Sequence, residues 1–213
     1  MLSEYYTVKK EGSDELIIQK SRFIGYVRRV ETEEAAQAFI REIKDKHNDA
    51  THNCSAYTIG EHDHIQKASD DGEPSRTAGI PMLEVLLKKN LKDTVVVVTR
   101  YFGGIKLGAG GLIRAYSQAT SLALQTTGIV KRTLMQGMSV TVQYPLLGKI
   151  KNMLDTSDYI LDTIRYLENV EFSVYVPKGE ENTFREWMTN ATRDQAEITT
   201  TQTAYVEKEV SDT

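Results

Sequence analysis

Thr94-Val95-Val96-Val97-Val98-Thr99-Arg100-Tyr101-Phe102-Gly103-Gly104-Ile105-Lys106-Leu107-Gly108-Ala109-Gly110-Gly111 is a β-branched run followed directly by a glycine-rich loop. The run Thr94–Thr99 has no polar alternation, the pattern of a central strand covered on both faces. Beyond the loop, Leu112, Ala115, Tyr116, Ala119, Leu122 and Ala123 recur at helical spacing and predict a helix from Leu112 to about Thr126. Five of the chain's fourteen glycines lie between Gly103 and Gly111, so the strand-to-helix connection is where the backbone needs the most freedom.

Upstream, period-two patterns predict strands at Tyr6–Val8, Leu16–Ile18 and Phe23–Val30, then at Cys54–Ile59. Between them Thr32 is placed to cap a helix with Glu33 and Glu34 in its first turn and Ala36, Phe39, Ile40 and Ile43 on one face. Residues 60–79 are polar and read as a loop; Pro81 suits the first turn of a helix ending near Asn90. After Gly128 the pattern restarts. Strands at Met138–Gln143, Tyr159–Tyr166, Val170–Val176 and Glu197–Val206 alternate with helices at Leu146–Leu154 and Glu180–Thr192, the βαββαβ order of a ferredoxin-like domain. The chain therefore reads as an α+β protein of two domains, 1–133 and 134–213.

With 213 residues, 40% of them hydrophobic and 26% charged, the chain can bury a sizeable core in each domain. Cys54 is its only cysteine, which excludes an intrachain disulfide. Neither a signal-peptide pattern nor an apolar run of about 20 residues is present, so a cytoplasmic protein without a membrane partner is expected. Charge is uneven. Residues 1–134 hold 19 Lys and Arg against 17 Asp and Glu, whereas residues 135–213 hold 7 against 13. From Thr94 to Leu154 there is no acid at all, but there are seven bases, Arg100, Lys106 and Arg114 among them. Burial explains missing acids in this run; it does not explain the bases, and a surface built from them attracts anions.

The loop suits an anion in two ways. Gly103, Gly104, Gly108, Gly110 and Gly111 permit close backbone approach, and a helix beginning at Gly110-Gly111 presents N–H groups without intrahelical partners. Arg100, Lys106 and Arg114 could contact phosphates while Tyr101 or Phe102 stacks on a base. The competing reading is a tight turn with Tyr101 and Phe102 in the core. A P-loop is excluded because Gly108 is followed by Ala109-Gly110 rather than Lys-Ser or Lys-Thr. A dinucleotide fingerprint fails at Ile113 and lacks the acid about 20 residues on. No cofactor is expected.

The segments Gly79-Ile80-Pro81, Val95–Val98, Arg100-Tyr101-Phe102-Gly103-Gly104 and Leu107-Gly108 closely resemble the signature of the YigZ/IMPACT family. Ala50-Thr51-His52-Asn53-Cys54 and Ser69-Asp70-Asp71-Gly72-Glu73-Pro74 resemble it as well, so that the likeness spans essentially the whole chain. The resemblance implies an N-terminal two-layer α/β sandwich like that of a small-subunit ribosomal protein, an elongation factor G domain and the GHMP kinases. It implies a ferredoxin-like C-terminal domain and a link to control of translation, without an assigned catalytic activity. The kinase-directed role of eukaryotic members is not carried over, because those members have an additional N-terminal interaction domain.

Two further groups of residues could carry chemistry. Asp70, Asp71 and Glu73 could hold Mg²⁺ or act as a base, with Arg76 and the glycine loop holding a phosphorylated ligand; a solvated turn is the alternative. His52 and Cys54 share a strand face, and His62 and His64 repeat their spacing, but this matches no standard zinc motif and no metal is expected. The leading expectation is a non-enzymatic, translation-associated factor that binds RNA or the ribosome through the N-terminal basic surface. A protein partner for the acidic C-terminal domain accompanies it. An enzyme acting on a phosphorylated small molecule at the same loop is the runner-up.

Overall fold

A computed structural model describes residues 1–210. The chain forms two compact units: Tyr5–Arg132 together with residues from Glu207 onward, and Met1–Glu4 together with Thr133–Val206. Neither unit is one unbroken stretch, as 1–133 and 134–213 would be. The long final strand β10 (Glu197–Glu209) contributes its end to the first unit, where Glu207 pairs with Arg29 at 2.6 Å and the Val210 N–H donates to the Ile129 carbonyl at 3.0 Å.

The first unit is built on a five-stranded antiparallel sheet in the order β2 (Gly12–Ile18), β3 (Ser21–Arg29), β6 (Thr94–Tyr101), β4 (His52–Ile59), β5 (Ile65–Ser69). The central position of β6 follows from its valines, which face both ways. Val96 and Val98 pack with Phe23, Cys54, Met82, Leu112 and Tyr116, while Val95 and Val97 pack with Tyr57, Phe39, Ile40 and Ile43. Helices α2 (Gly79–Lys88) and α3 (Gly108–Thr127) thus cover one face and α1 (Glu33–Lys46) the other. The α+β class stands, and the N-terminal sandwich has three layers where the family resemblance implied two, because α1 carries a complete apolar stripe that must be buried. Its cap is as expected: the Thr32 hydroxyl accepts from the Ala35 N–H at 3.2 Å.

Strand β5 lies inside the stretch that composition marks as a loop. It pairs with β4 through Ser55–Ser69 to Ile59–Ile65, and four of its five residues are exposed, so it lacks the half-apolar alternation that identifies a strand.

The second sheet has five strands: β7 (Ile129–Val142) pairs with β9 (Val170–Pro177), with β10 and with β1 (Glu4–Val8), and β8 (Ile160–Tyr166) lies at the edge beyond β9. The spatial order β10-β7-β9-β8, with α4 (Leu147–Asp155) and α5 (Glu181–Thr192) between the strands, is the ferredoxin-like arrangement. Alternate residues of β9, Val170, Phe172, Val174 and Val176, face a core with Ile150, Leu154, Phe184 and Met188. No helix of the described residues is long and apolar enough to cross a membrane.

Candidate functional site

The glycine loop leaves the sheet at Tyr101 and re-enters regular structure at Gly108. Helix α3 therefore begins four residues before the apolar periodicity does. The buried face formed by Leu112, Ala115, Tyr116 and Ala119 offsets the low helical propensity of Gly108, Gly110 and Gly111. Leu107 at the N-cap supplies no side-chain acceptor and the first turn has no acid, so the N–H groups of Gly108, Ala109 and Gly110 meet no helical carbonyl and no cap. Two glycines have different duties. A Cβ on Gly103 would lie 2.0 Å from the Lys20 backbone, so this residue is a packing necessity; Gly104, at φ 86°, borders open space and serves a left-handed turn. The loop is tied down by the Phe102 N–H on Thr51 Oγ1 (3.0 Å) and the Gly103 N–H on Ser21 Oγ (3.2 Å).

The basic and aromatic residues of the loop divide sharply. Lys106 and Arg114 are exposed, and the Arg114 guanidinium lies 3.6 Å from where a Cβ on Gly110 would stand, alongside the first turn of α3. Phe102 is 46% exposed. Arg100, by contrast, is buried: its cross-strand neighbours are Phe23 and His52, its Nη1 donates to Glu73 Oε1 at 2.6 Å, and its guanidinium lies against the rings of Phe23 and Phe102. Tyr101 points to the opposite face of the sheet. Its hydroxyl donates to Asp49 at 3.0 Å and meets His47 Nδ1 at 2.8 Å, while His47 Nε2 meets the Tyr26 hydroxyl at 2.6 Å. The Tyr101 ring is thus turned away from Lys106 by the alternation along β6, whereas Arg100, buried and paired with Glu73, lines the same cavity as Lys106.

The acidic loop is drawn inward. Asp70 Oδ1 accepts from the N–H groups of Ala78 (3.0 Å) and Gly79 (2.9 Å), and its Oδ2 from Arg76 (2.7 Å), which closes the start of α2. Burial acts to raise the Asp70 carboxyl, but these three N–H groups and the Arg76 charge together hold it below the ordinary range. Asp71 accepts from Lys44 (2.6 Å) and from the Asn53 N–H (2.7 Å). Glu73 is the buried one, its Oε1 shared between Arg100 and the Tyr116 hydroxyl at 2.7 Å. With these oxygens engaged, Asp70, Asp71 and Glu73 do not converge on one point, and Arg76 stands exposed at φ 63°.

His52 and Cys54 do share a face, as their spacing requires. His52 Nδ1–H donates to the Asp71 carbonyl at 2.8 Å and Cys54 Sγ–H to the Asp70 carbonyl at 3.0 Å. Burial pushes the Cys54 thiol well above the ordinary range, with the nearby carboxylates adding to the shift, which leaves it a packing residue rather than a nucleophile. His62 and His64 sit in the turn beyond the far end of β4, eight residues of strand away, and no group of three or more His, Cys, Asp or Glu among the described residues could hold a metal.

Together these elements form a cavity of about 430 Å³, bounded by Thr51, His52, Glu73, Arg100, Phe102, Lys106 and the start of α3. Glu73 Oε2 faces His52 Nε2 across 3.8 Å, and Arg100 Nε is buried without a hydrogen-bond partner. Tyr116 and Ser21, which support this network, are not legible as functional: the first reads as one more apolar position of α3, and the second as the small residue opening β3.

The chain is similar to known proteins through both of its units. Residues 19–124 match the Impact N-terminal domain and residues 140–195 the Domain of unknown function (DUF1949). The IMPACT family member YvyE of Bacillus subtilis is 57% identical over 211 residues, covering 99% of this chain and 97% of that protein. The IMPACT family member YigZ of Escherichia coli is 38% identical over 151 residues, covering 67% and 74%. A crystal structure of a hypothetical protein superposes with a TM-score of 0.61 at 29% identity, covering 95% of this chain and 99% of that one. Likeness of this extent, running through both units and through the loop that shapes the cavity, makes the chain a member of the IMPACT family.

Proposed function

We propose that the protein is a cytoplasmic, translation-associated regulatory factor that binds RNA, free or within the ribosome, through the glycine loop and the start of α3. One observation carries this reading: an uncapped first turn of a 20-residue helix, free of acids, is flanked by exposed Lys106 and Arg114. Backbone N–H groups there suit a phosphate oxygen, the two side chains add full charges, and half-exposed Phe102 offers a stacking face. Arg100 acts from beneath, fixing Phe102 rather than touching phosphate.

The test is binding of a structured ribosomal RNA, and of intact ribosomes, across a salt series. Affinity should fall with salt, and Lys106→Ala/Arg114→Ala should lower the slope of log K against log salt by about 0.7–0.9 for each phosphate no longer neutralised. Equal slopes for wild type and variant, or no binding by either, would discard this function.

The cavity favours a second reading, in which it holds a small phosphorylated molecule with its phosphate toward Lys106 and His52. Its volume falls in the range of small-ligand sites, roughly 300–1,000 Å³. A rise in melting temperature with a phosphorylated metabolite, absent in His52→Ala and unaffected by RNA, would favour it. Mg²⁺ held by Asp70 and Asp71 has no part in that chemistry, since backbone N–H groups and Lys44 occupy their oxygens.

A further inference from the structure

The second unit has a cavity of its own, about 640 Å³, between the end of α4, the segment leading into β8 and the start of α5. Its apolar wall is aromatic. The rings of Tyr159 and Trp187 lie 5.4 Å apart at 49°, and both rest on Phe184, which is fully buried. Packing on Phe184 and the core accounts for part of each ring; the remainder borders the cavity, and both residues are partly exposed. The polar rim is acidic. Asp158 and Glu180 line the same cavity, both are exposed, and neither is ion-paired with a Lys or Arg among the described residues. Their charge reaches the aromatic wall: burial pushes the Tyr159 hydroxyl up, and Glu180 and Asp158 push it further.

Each class of ligand can be weighed against this lining. An anion would meet two carboxylates and no base. A divalent metal ion would find only two hard ligands, fewer than Ca²⁺ or Zn²⁺ takes from protein. An organic cation satisfies both walls at once, because the ring quadrupoles of tryptophan and tyrosine attract positive charge and the carboxylates neutralise it. The surroundings act in the same direction, since residues 133–206 carry 10 acids against 6 bases and concentrate cations nearby. We propose that this cavity binds an organic cation of the alkylammonium or guanidinium class, resting on Trp187 and Tyr159 with its charge met by Asp158 and Glu180.

Trp187 is the chain's only tryptophan, so its emission reports on this cavity alone. The full chain is titrated at constant ionic strength with spermidine and, separately, with N-acetyl-arginine amide. Sodium chloride and the uncharged N-acetyl-citrulline amide are the controls. A saturable change with either cation is expected. Asp158→Asn/Glu180→Gln should raise the half-saturating concentration roughly three- to tenfold, at an unchanged melting temperature because both carboxylates are exposed. Response to spermidine alone identifies a free polyamine as the source of the cation; response to the arginine derivative alone identifies a basic side chain of a partner. Three results overturn the site: no saturable response to either cation, an equal response to the citrulline derivative or to salt, or titrations identical in the folded double variant and wild type.

Discussion

Two loops of the first unit contain nearly all of its chemically suggestive residues, and they are used in opposite ways. The acidic loop Ser69–Gly79 turns its charges inward, where Asp70 closes the start of α2, Asp71 binds Lys44 and the Asn53 backbone, and Glu73 is buried against Arg100 and Tyr116. The glycine loop turns outward, leaving Lys106, Arg114 and half of Phe102 in solvent beside an uncapped helix. Charged residues in a loop are therefore no guide to whether those charges face solvent. What separates these two is whether backbone N–H groups are already paired with the side chains present.

The comparison is broken most easily at its deepest point. Glu73→Ala leaves the Arg100 guanidinium buried and unpaired, and should destabilise the protein by about 3–5 kcal/mol, read from the shift of the urea midpoint at constant m. A loss below about 1 kcal/mol would mean that Glu73 is not the counter-charge that holds Arg100 in the core.

A smaller effect is expected where a carboxylate caps a helix. Asp70→Ala removes the acceptor of three N–H groups and should cost about 1–2 kcal/mol. The folded carboxyl lies below the ordinary value of 3.8, so its contribution is complete above that value and disappears as pH falls through the folded one. The stability gap between wild type and variant should accordingly be constant from pH 7 to about 5 and close in stronger acid. A gap that widens on acidification would contradict the sign.

Smallest of all should be the cost of stripping the outward loop. Lys106→Ala/Arg114→Ala should change stability by no more than about 0.5 kcal/mol while lowering the salt slope of RNA binding. A substantial destabilisation by this pair would erase the contrast between the loops. Gly104→Ala sharpens it: at φ 86° with open space around it, the substitution should cost about 1–2 kcal/mol from backbone conformation alone.

Much of the fold can be read locally. The Thr32 cap, the stripe Ala36, Phe39, Ile40 and Ile43, the valine run of β6 and the βαββαβ order of the second unit all follow from spacing along a few turns or strand repeats. Strand β5 and the early start of α3 do not. The first is an exposed edge without alternation, and the second is held helical by a buried face that begins four residues later. Of the candidate site, the glycine loop, Lys106, Arg114 and Phe102 are legible as a group. The burial of Arg100, the diversion of Tyr101 to Asp49 and His47, and the part played by Tyr116 are not.

By itself the sequence determined most of the strands and helices, the glycine-rich connection after β6, and that the basic residues concentrate between Thr94 and Leu154. These properties depend on neighbours within a few positions: side-chain periodicity, cap chemistry and local charge density. Only the tertiary structure decided which charges face solvent. Arg100 meets Glu73 27 residues away in sequence because β6 lies at the centre of the sheet and the acidic loop folds over its end. Burial and counter-charge are properties of that long-range pairing, and nothing in either segment alone carries them.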